Sequence, residues 1–145
     1  MTFSKPPTHA PTAPELQADH LVRAALEQAW VDSEVSDPLR RHEEGGWIYL
    51  DLSSGKMSIQ RAKRGATAGI DLSYPPVMAG CIVVGKFHTH PNPGSEGWNP
   101  GPSQADHVVD ARHGVPDLIR ADNGVHFSGP PSRRGGLSGG AGYPP

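Results

Sequence analysis

Residues 77–87 read Val-Met-Ala-Gly-Cys-Ile-Val-Val-Gly-Lys-Phe and run directly into His88-Thr89-His90-Pro91. A nearly continuous apolar run of this length predicts a strand covered on both faces. Side chains alternate along a strand, so His88 and His90 share one face and Thr89 takes the other. Pro91 lacks the N–H that a central ladder needs, which puts the histidine pair at the strand's end. Upstream, Trp47 to Leu52 and Lys56 to Arg61 flank Ser53-Ser54-Gly55 and read as a hairpin. Before it, Val22, Ala25, Leu26, Ala29 and Trp30 form one apolar stripe of a helix over about 15–32. Downstream, Ser103 opens a second helix with Ala105, Val108 and Val109 on one side, ended by Gly114 and Pro116. Leu118 to Arg120 and Val125 to Phe127 make a last short hairpin, while 63–76 and 92–102 read as loops. The pattern predicts the α+β class: one small domain over 15–128, a mixed sheet flanked by helices.

Composition sets bounds on this reading. Of 145 residues, 35% are hydrophobic and the net charge is −2, so no strong field favours nucleic acid or a membrane surface. Of the 18 Gly and 16 Pro, 14 fall in residues 1–14 and 129–145, a density well above that of the middle. Residues 1–14 and 129–145 are therefore expected to be disordered tails. The lone Cys81 allows no internal disulfide or Cys-based metal site, and reads as a buried apolar residue. No apolar leader or membrane-length run is visible, so the cytoplasm is the expected compartment. Oligomeric state is not readable.

The chemistry concentrates after the apolar strand. Two imidazoles on one face are half of a transition-metal site. Asp106, in the first turn of the second helix, is the candidate third ligand. Two histidines and one carboxylate would hold one Zn2+ and leave a position for water, as catalytic sites do. The segment Ser103-x-x-Asp106 is also a helix capping box, and both roles can coexist. A general base is needed nearby, and Glu43-Glu44-Gly45-Gly46 enters the first strand with either carboxylate available. Ser103 could donate to a developing oxyanion. Trp98, on the long loop, reads either as a lid or substrate contact or as an anchor clipping the loop to the core. Trp47 reads as core. His42, His107, His113 and His126 have no partner at ligand spacing and read as surface or supporting residues.

Glu43-x-x-Gly46, then His88-Thr89-His90-Pro91, then Ser103-x-x-Asp106 resembles the JAMM motif of JAB/MPN metalloproteases, of the prokaryotic type. The resemblance covers about residues 40–128. It implies a JAB/MPN-like fold, zinc held by His88, His90 and Asp106, Glu43 as general acid/base, and Ser103 stabilising the tetrahedral intermediate. It favours Glu43 over Glu44 through the spacing to Gly46. It implies hydrolysis of an amide or isopeptide bond in a protein or peptide substrate, a ubiquitin-like protein among the candidates. An extended substrate segment could pair with a strand edge, with 63–76 as a contact. Residues 92–102 separate Pro91 from Ser103, a longer interval than is usual in the family. A non-catalytic interaction module on the same fold, or a processing or effector domain of a larger bacterial system, are the alternatives.

Overall fold

The computed structural model describes residues 5–145. Its elements are α1 (Ala13–Ala18), α2 (His20–Asp32), β1 (Gly45–Asp51), β2 (Met57–Arg61), β3 (Cys81–Thr89), a short 3-10 turn at Gly94–Glu96, α3 (Gln104–His113), β4 (Asp117–Ala121) and β5 (Gly124–Ser128). The five strands form one sheet in the order β2-β1-β3-β4-β5. Only β3 and β4 run parallel, and α3 lies in the connection between them. The expected α+β mixed sheet with flanking helices is present.

Two apolar clusters sandwich the sheet. Leu16, Val22, Leu26 and Ala29 of α1 and α2 pack on Ile48, Leu50, Ile82 and Val84. On the opposite face, Trp47, Tyr49 and Val83 pack with Leu72 and Val115. Each Val, Leu or Ile among them, fully buried, contributes about 1.5–3 kcal/mol.

The β1–β3 ladder slips by one residue. Ile48 pairs with Gly85 but Tyr49 pairs with Val83, so Val84 has no partner on β1. This bulge shifts the alternation. Past it, Phe87 joins the cluster under α1 and α2, whereas Lys86 turns to the other face and meets Asp110 of α3. His88 follows Lys86, as the period of two requires.

Several details depart from expectation. The helix expected over 15–32 is two helices. Asp19 is extended (φ −69°, ψ 129°) and its carboxylate accepts from the Leu21 and Val22 amides, so it starts a new helix. The strand expected from Val77 begins at Cys81. Val77 is exposed and Cys81 only partly buried. In α3, Val108 is exposed while Asp110 and His113 are buried, because the helix turns polar groups onto Lys86.

Described residues of both terminal segments pack against the domain. Residues 1–4 lie outside the described residues. Of the remaining N-terminal segment, Ala10 and Ala13 are buried and Thr12 bridges to Ser132. Residues 129–145 carry no helix or strand, yet wrap the sheet as a strap. Buried Arg133 donates to the carbonyls of Val83, Gly142, Ser138 and Gly140, which replaces the ladder the Gly/Pro segment cannot make. Among the described residues, no helix is long and apolar enough to cross a membrane.

Candidate metal centre

The end of β3, the segment before β1 and the first turn of α3 converge on one cleft of about 430 Å3. His88 is buried and His90 half-buried, both on the face set by the Val84 bulge. Their Nε2 atoms lie 3.2 Å apart. Asp106 closes the triangle, with Oδ1 3.5 Å from His88 Nε2 and Oδ2 3.2 Å from His90 Nε2. Ligand arms of about 2.0–2.1 Å in a tetrahedron put donor atoms about 3.3 Å apart. The two Asp106 oxygens thus lie against the two imidazoles, one on each ring, close enough to border a shared cation.

The outer nitrogens of both rings are also engaged. His88 Nδ1 lies 3.1 Å from Asp117 Oδ1 of β4, and His90 Nδ1 lies 3.2 Å from the Pro100 carbonyl. A donor role for each Nδ1–H turns each Nε2 to the centre, where a bound metal would take its lone pair, the usual support of a metal-bound histidine. Ser103 caps α3. Its Oγ accepts from the Asp106 amide at 3.0 Å, and its amide donates to Asp106 Oδ2 at 2.9 Å. The capping box thus holds the Asp106 carboxylate toward the histidines. It leaves the Ser103 hydroxyl proton free to donate into the cleft.

Glu43 and the two histidines offer ligand atoms all within 4.8 Å of one another, a group that could hold a metal ion. Glu43 is buried among them. Burial pushes its carboxyl up to about 7, opposed by the positive charge of His88 and His90 and reinforced by Asp106 and Asp117. Such a group exchanges protons near neutral pH. Two triads thus share the histidines, one closed by Asp106 and one by Glu43. Glu43 and Asp106 both border the histidine pair, and either carboxylate could join it around a cation.

The charges around the pair favour a cation. Burial disfavours a charged His88, yet the Asp117 and Asp106 carboxylates outweigh it and raise its pKa well above the ordinary value. Burial likewise opposes ionisation of Asp106, and hydrogen bonds from His88 and His90 overcome it. Positive charge is stabilised there from several sides.

Glu44 is not in the cleft. Its carboxylate pairs with His42 on one oxygen and with Arg61 at 2.7 Å on the other. His42, expected at the surface or in support, is buried in that pair. Gly45 lets β1 run close to the site: a Cβ there would fall 2.3 Å from the Phe87 carbonyl and 3.0 Å from His88 Cβ. Trp98 is half-exposed and lines the cleft. Its loop is pinned instead by Arg41 on Glu96 at 3.1 Å and by Asn92 on the Thr67 carbonyl at 2.8 Å. Residues 68–73, part of the expected contact loop, form another wall.

The sequence reading missed the polar floor. Lys86, almost wholly buried, donates to Asp110 at 2.7 Å and to His113 Nδ1 at 2.6 Å. His113, expected at the surface or in support, is buried and stacks on Tyr143 of the strap with ring centroids 4.1 Å apart. Asp117, the first residue of β4, lies one position before the stretch Leu118 to Arg120 read from the sequence. His107 meets Ser128 Oγ, and His126 meets Asn123, both outside the centre.

No family model, no curated protein and no solved structure matches this chain.

Proposed function

We propose that this chain is a zinc-dependent hydrolase of the JAMM type, cutting an amide or isopeptide bond in a protein or peptide. The observation that carries the reading is the convergence of His88 Nε2, His90 Nε2 and the Asp106 carboxylate, with Glu43 against them. Two imidazoles and one carboxylate form a donor set suited to zinc and too small to enclose it. Bound zinc supplies Lewis acidity, which polarises a carbonyl and makes water acidic enough to ionise near pH 7.

The remaining roles belong to the chain's own side chains. Glu43 takes one proton from the attacking water and returns it to the leaving nitrogen as the C–O bond forms and the C–N bond breaks. Its burial, which disfavours the charged carboxylate, suits it to both directions of that transfer. The Ser103 hydroxyl donates to the oxygen that gains charge. Asp117 and the Pro100 carbonyl hold the two imidazoles in the tautomer that keeps Nε2 for the metal. The cleft wall at 68–73 and the half-exposed Trp98 receive the chain to be cut. Resemblance to the JAB/MPN family supports the same assignment. A ubiquitin-like tail is the substrate we favour within the peptide class.

The test is metal content together with hydrolysis. Purified protein is expected to hold one zinc per chain and to lose it in His88→Ala. It is expected to cleave a ubiquitin-like fusion or a mixed peptide library, and Glu43→Gln to keep the zinc while losing turnover. Zinc retained in full by His88→Ala would remove the proposed centre.

A further inference from the structure

The strand that offers two imidazoles to the cleft offers a hydroxyl to the opposite face. Thr89 and Ser33 are both fully buried, and their oxygens lie 2.7 Å apart. The Ser33 hydroxyl donates to the Ala29 carbonyl of α2 at 2.7 Å, which uses its single proton. Thr89 must therefore donate to Ser33. Thr89 Oγ1 in turn accepts from the Glu44 amide at 3.0 Å. The chain of bonds runs one way, from the Glu44 N–H through two hydroxyls to the end of α2.

The same threonine also holds Glu44 by its backbone, since the Thr89 amide donates to the Glu44 carbonyl at 2.9 Å. On the other side, the Glu43 amide donates to the Ala66 carbonyl at 2.8 Å and the Gly65 amide to the Glu43 carbonyl at 2.9 Å. Residues 43 and 44 lie in no strand, yet every one of their backbone polar groups is taken.

We propose that Thr89 is a positioning residue, whose hydroxyl fixes the Glu43–Glu44 peptide and so sets the place of the Glu43 carboxylate against the imidazoles. The metal ligands and the base would then be aligned by one tripeptide. His88 and His90 face the cation, and Thr89 between them reaches behind the sheet to the segment bearing the base. Valine has the shape of threonine without the acceptor. It would leave the Glu44 N–H facing a methyl group in a dry interior. The segment relaxes to rescue that amide, and Glu43 moves with it. A displacement near 1 Å is enough to cost about 10²-fold in rate. The role of Glu43 in turnover rests on the hydrolase reading above. The positioning of its carboxylate does not.

The experiment compares zinc-loaded wild type with Thr89→Val, Thr89→Ser and, as a milder break one link further out, Ser33→Ala. Zinc affinity is measured by chelator competition and turnover on a mixed peptide library. The Glu43 carboxyl and the two histidine rings are followed by NMR. Thr89→Val is expected to keep zinc affinity and KM and to lose about 10–100-fold in kcat. The Glu43 carboxyl resonance should move while the ring resonances stay, and Thr89→Ser should restore both kcat and resonance. Ser33→Ala should give the same pattern more weakly, and decides the matter if Thr89→Val does not fold. Unchanged kcat and an unmoved Glu43 resonance would overturn the proposal, as would zinc loss in parallel with kcat or a serine variant that rescues nothing. Should wild type cleave no peptide, the hydrolase reading fails, and the Glu43 resonance alone decides the positioning claim.

Discussion

Glu43 and Glu44 are consecutive residues in separate environments: Glu43 sits with His88 and His90 in the cleft, and Glu44 is tied to His42 and Arg61. One is a carboxyl raised by burial and free to exchange a proton. The other is a structural counter-ion.

The two should therefore respond differently to mutation. Glu43→Gln is expected to leave the melting temperature near wild type and to lower kcat by about 10²–10⁴-fold. Glu44→Ala breaks a largely buried pair and is expected to cost about 3 kcal/mol in denaturant unfolding. Equal loss of turnover at constant stability in both variants would reverse the assignment.

Asp117 is expected to control metal affinity from beneath His88. Asp117→Asn keeps the shape and removes the charge that fixes the Nδ1 proton. Zinc competition should show about 10–100-fold weaker binding.

Ser103 has two separable roles. Removing its hydroxyl in Ser103→Ala takes away a cap worth about 1 kcal/mol. Thermal unfolding reads that term directly. An oxyanion role predicts a further loss of about 10²–10³-fold in kcat, well beyond what the stability change explains. A melting shift with unchanged kcat would leave Ser103 as a cap alone.

Acidification should remove one contribution to stability, that of a neutral His113. Burial, followed by the neighbouring Lys86 charge, pushes its imidazole down from 6.5 to about 4. The folded state then binds fewer protons than the unfolded state between those values, so the contribution of a neutral His113 is lost as pH drops through that window. Asp110 acts oppositely, since burial and Asp117 raise its carboxyl to about 6, and its contribution fades as pH rises toward that value. The difference between wild type and His113→Gln isolates the histidine. In chelator-treated protein, the variant should lose less stability than wild type from pH 6.5 down to about 4.

The strap should behave as part of the domain. Arg133 is almost wholly buried and serves four carbonyls. Tyr143 accepts from Trp47 Nε1 at 3.0 Å and donates to the Leu72 carbonyl, behind the cleft wall. Arg133→Met is expected to destabilise by at least about 3 kcal/mol, measured by denaturant titration. Truncation after Ser132 should do so and also weaken turnover, because the 68–73 wall loses its backing.

The sequence made the local parts of this site legible. His-x-His at a strand end and Ser-x-x-Asp at a helix start are short-range patterns whose geometry follows from a period of two and a first helical turn. The hairpins were readable for the same reason. Choosing Glu43 over Glu44 required more than the residues alone, because both precede the strand and only long-range partners tell them apart. Asp117, Lys86 and His113 were illegible since their meaning lies in contacts across the sheet. The strap was mistaken for a tail because Gly and Pro carry no periodicity, and one buried guanidinium replaces it. The bulge was hidden by the apolar run itself: with no polar residue to mark alternation, a phase slip leaves no trace.

That slip at Val84 acts as a selector between the two sides of the sheet. Remove one residue there and the same tripeptide would turn over, burying two imidazoles beneath α2 and presenting a lone hydroxyl to the cleft. Which surface of this domain does chemistry is settled by a single unpaired valine, four positions before the first ligand.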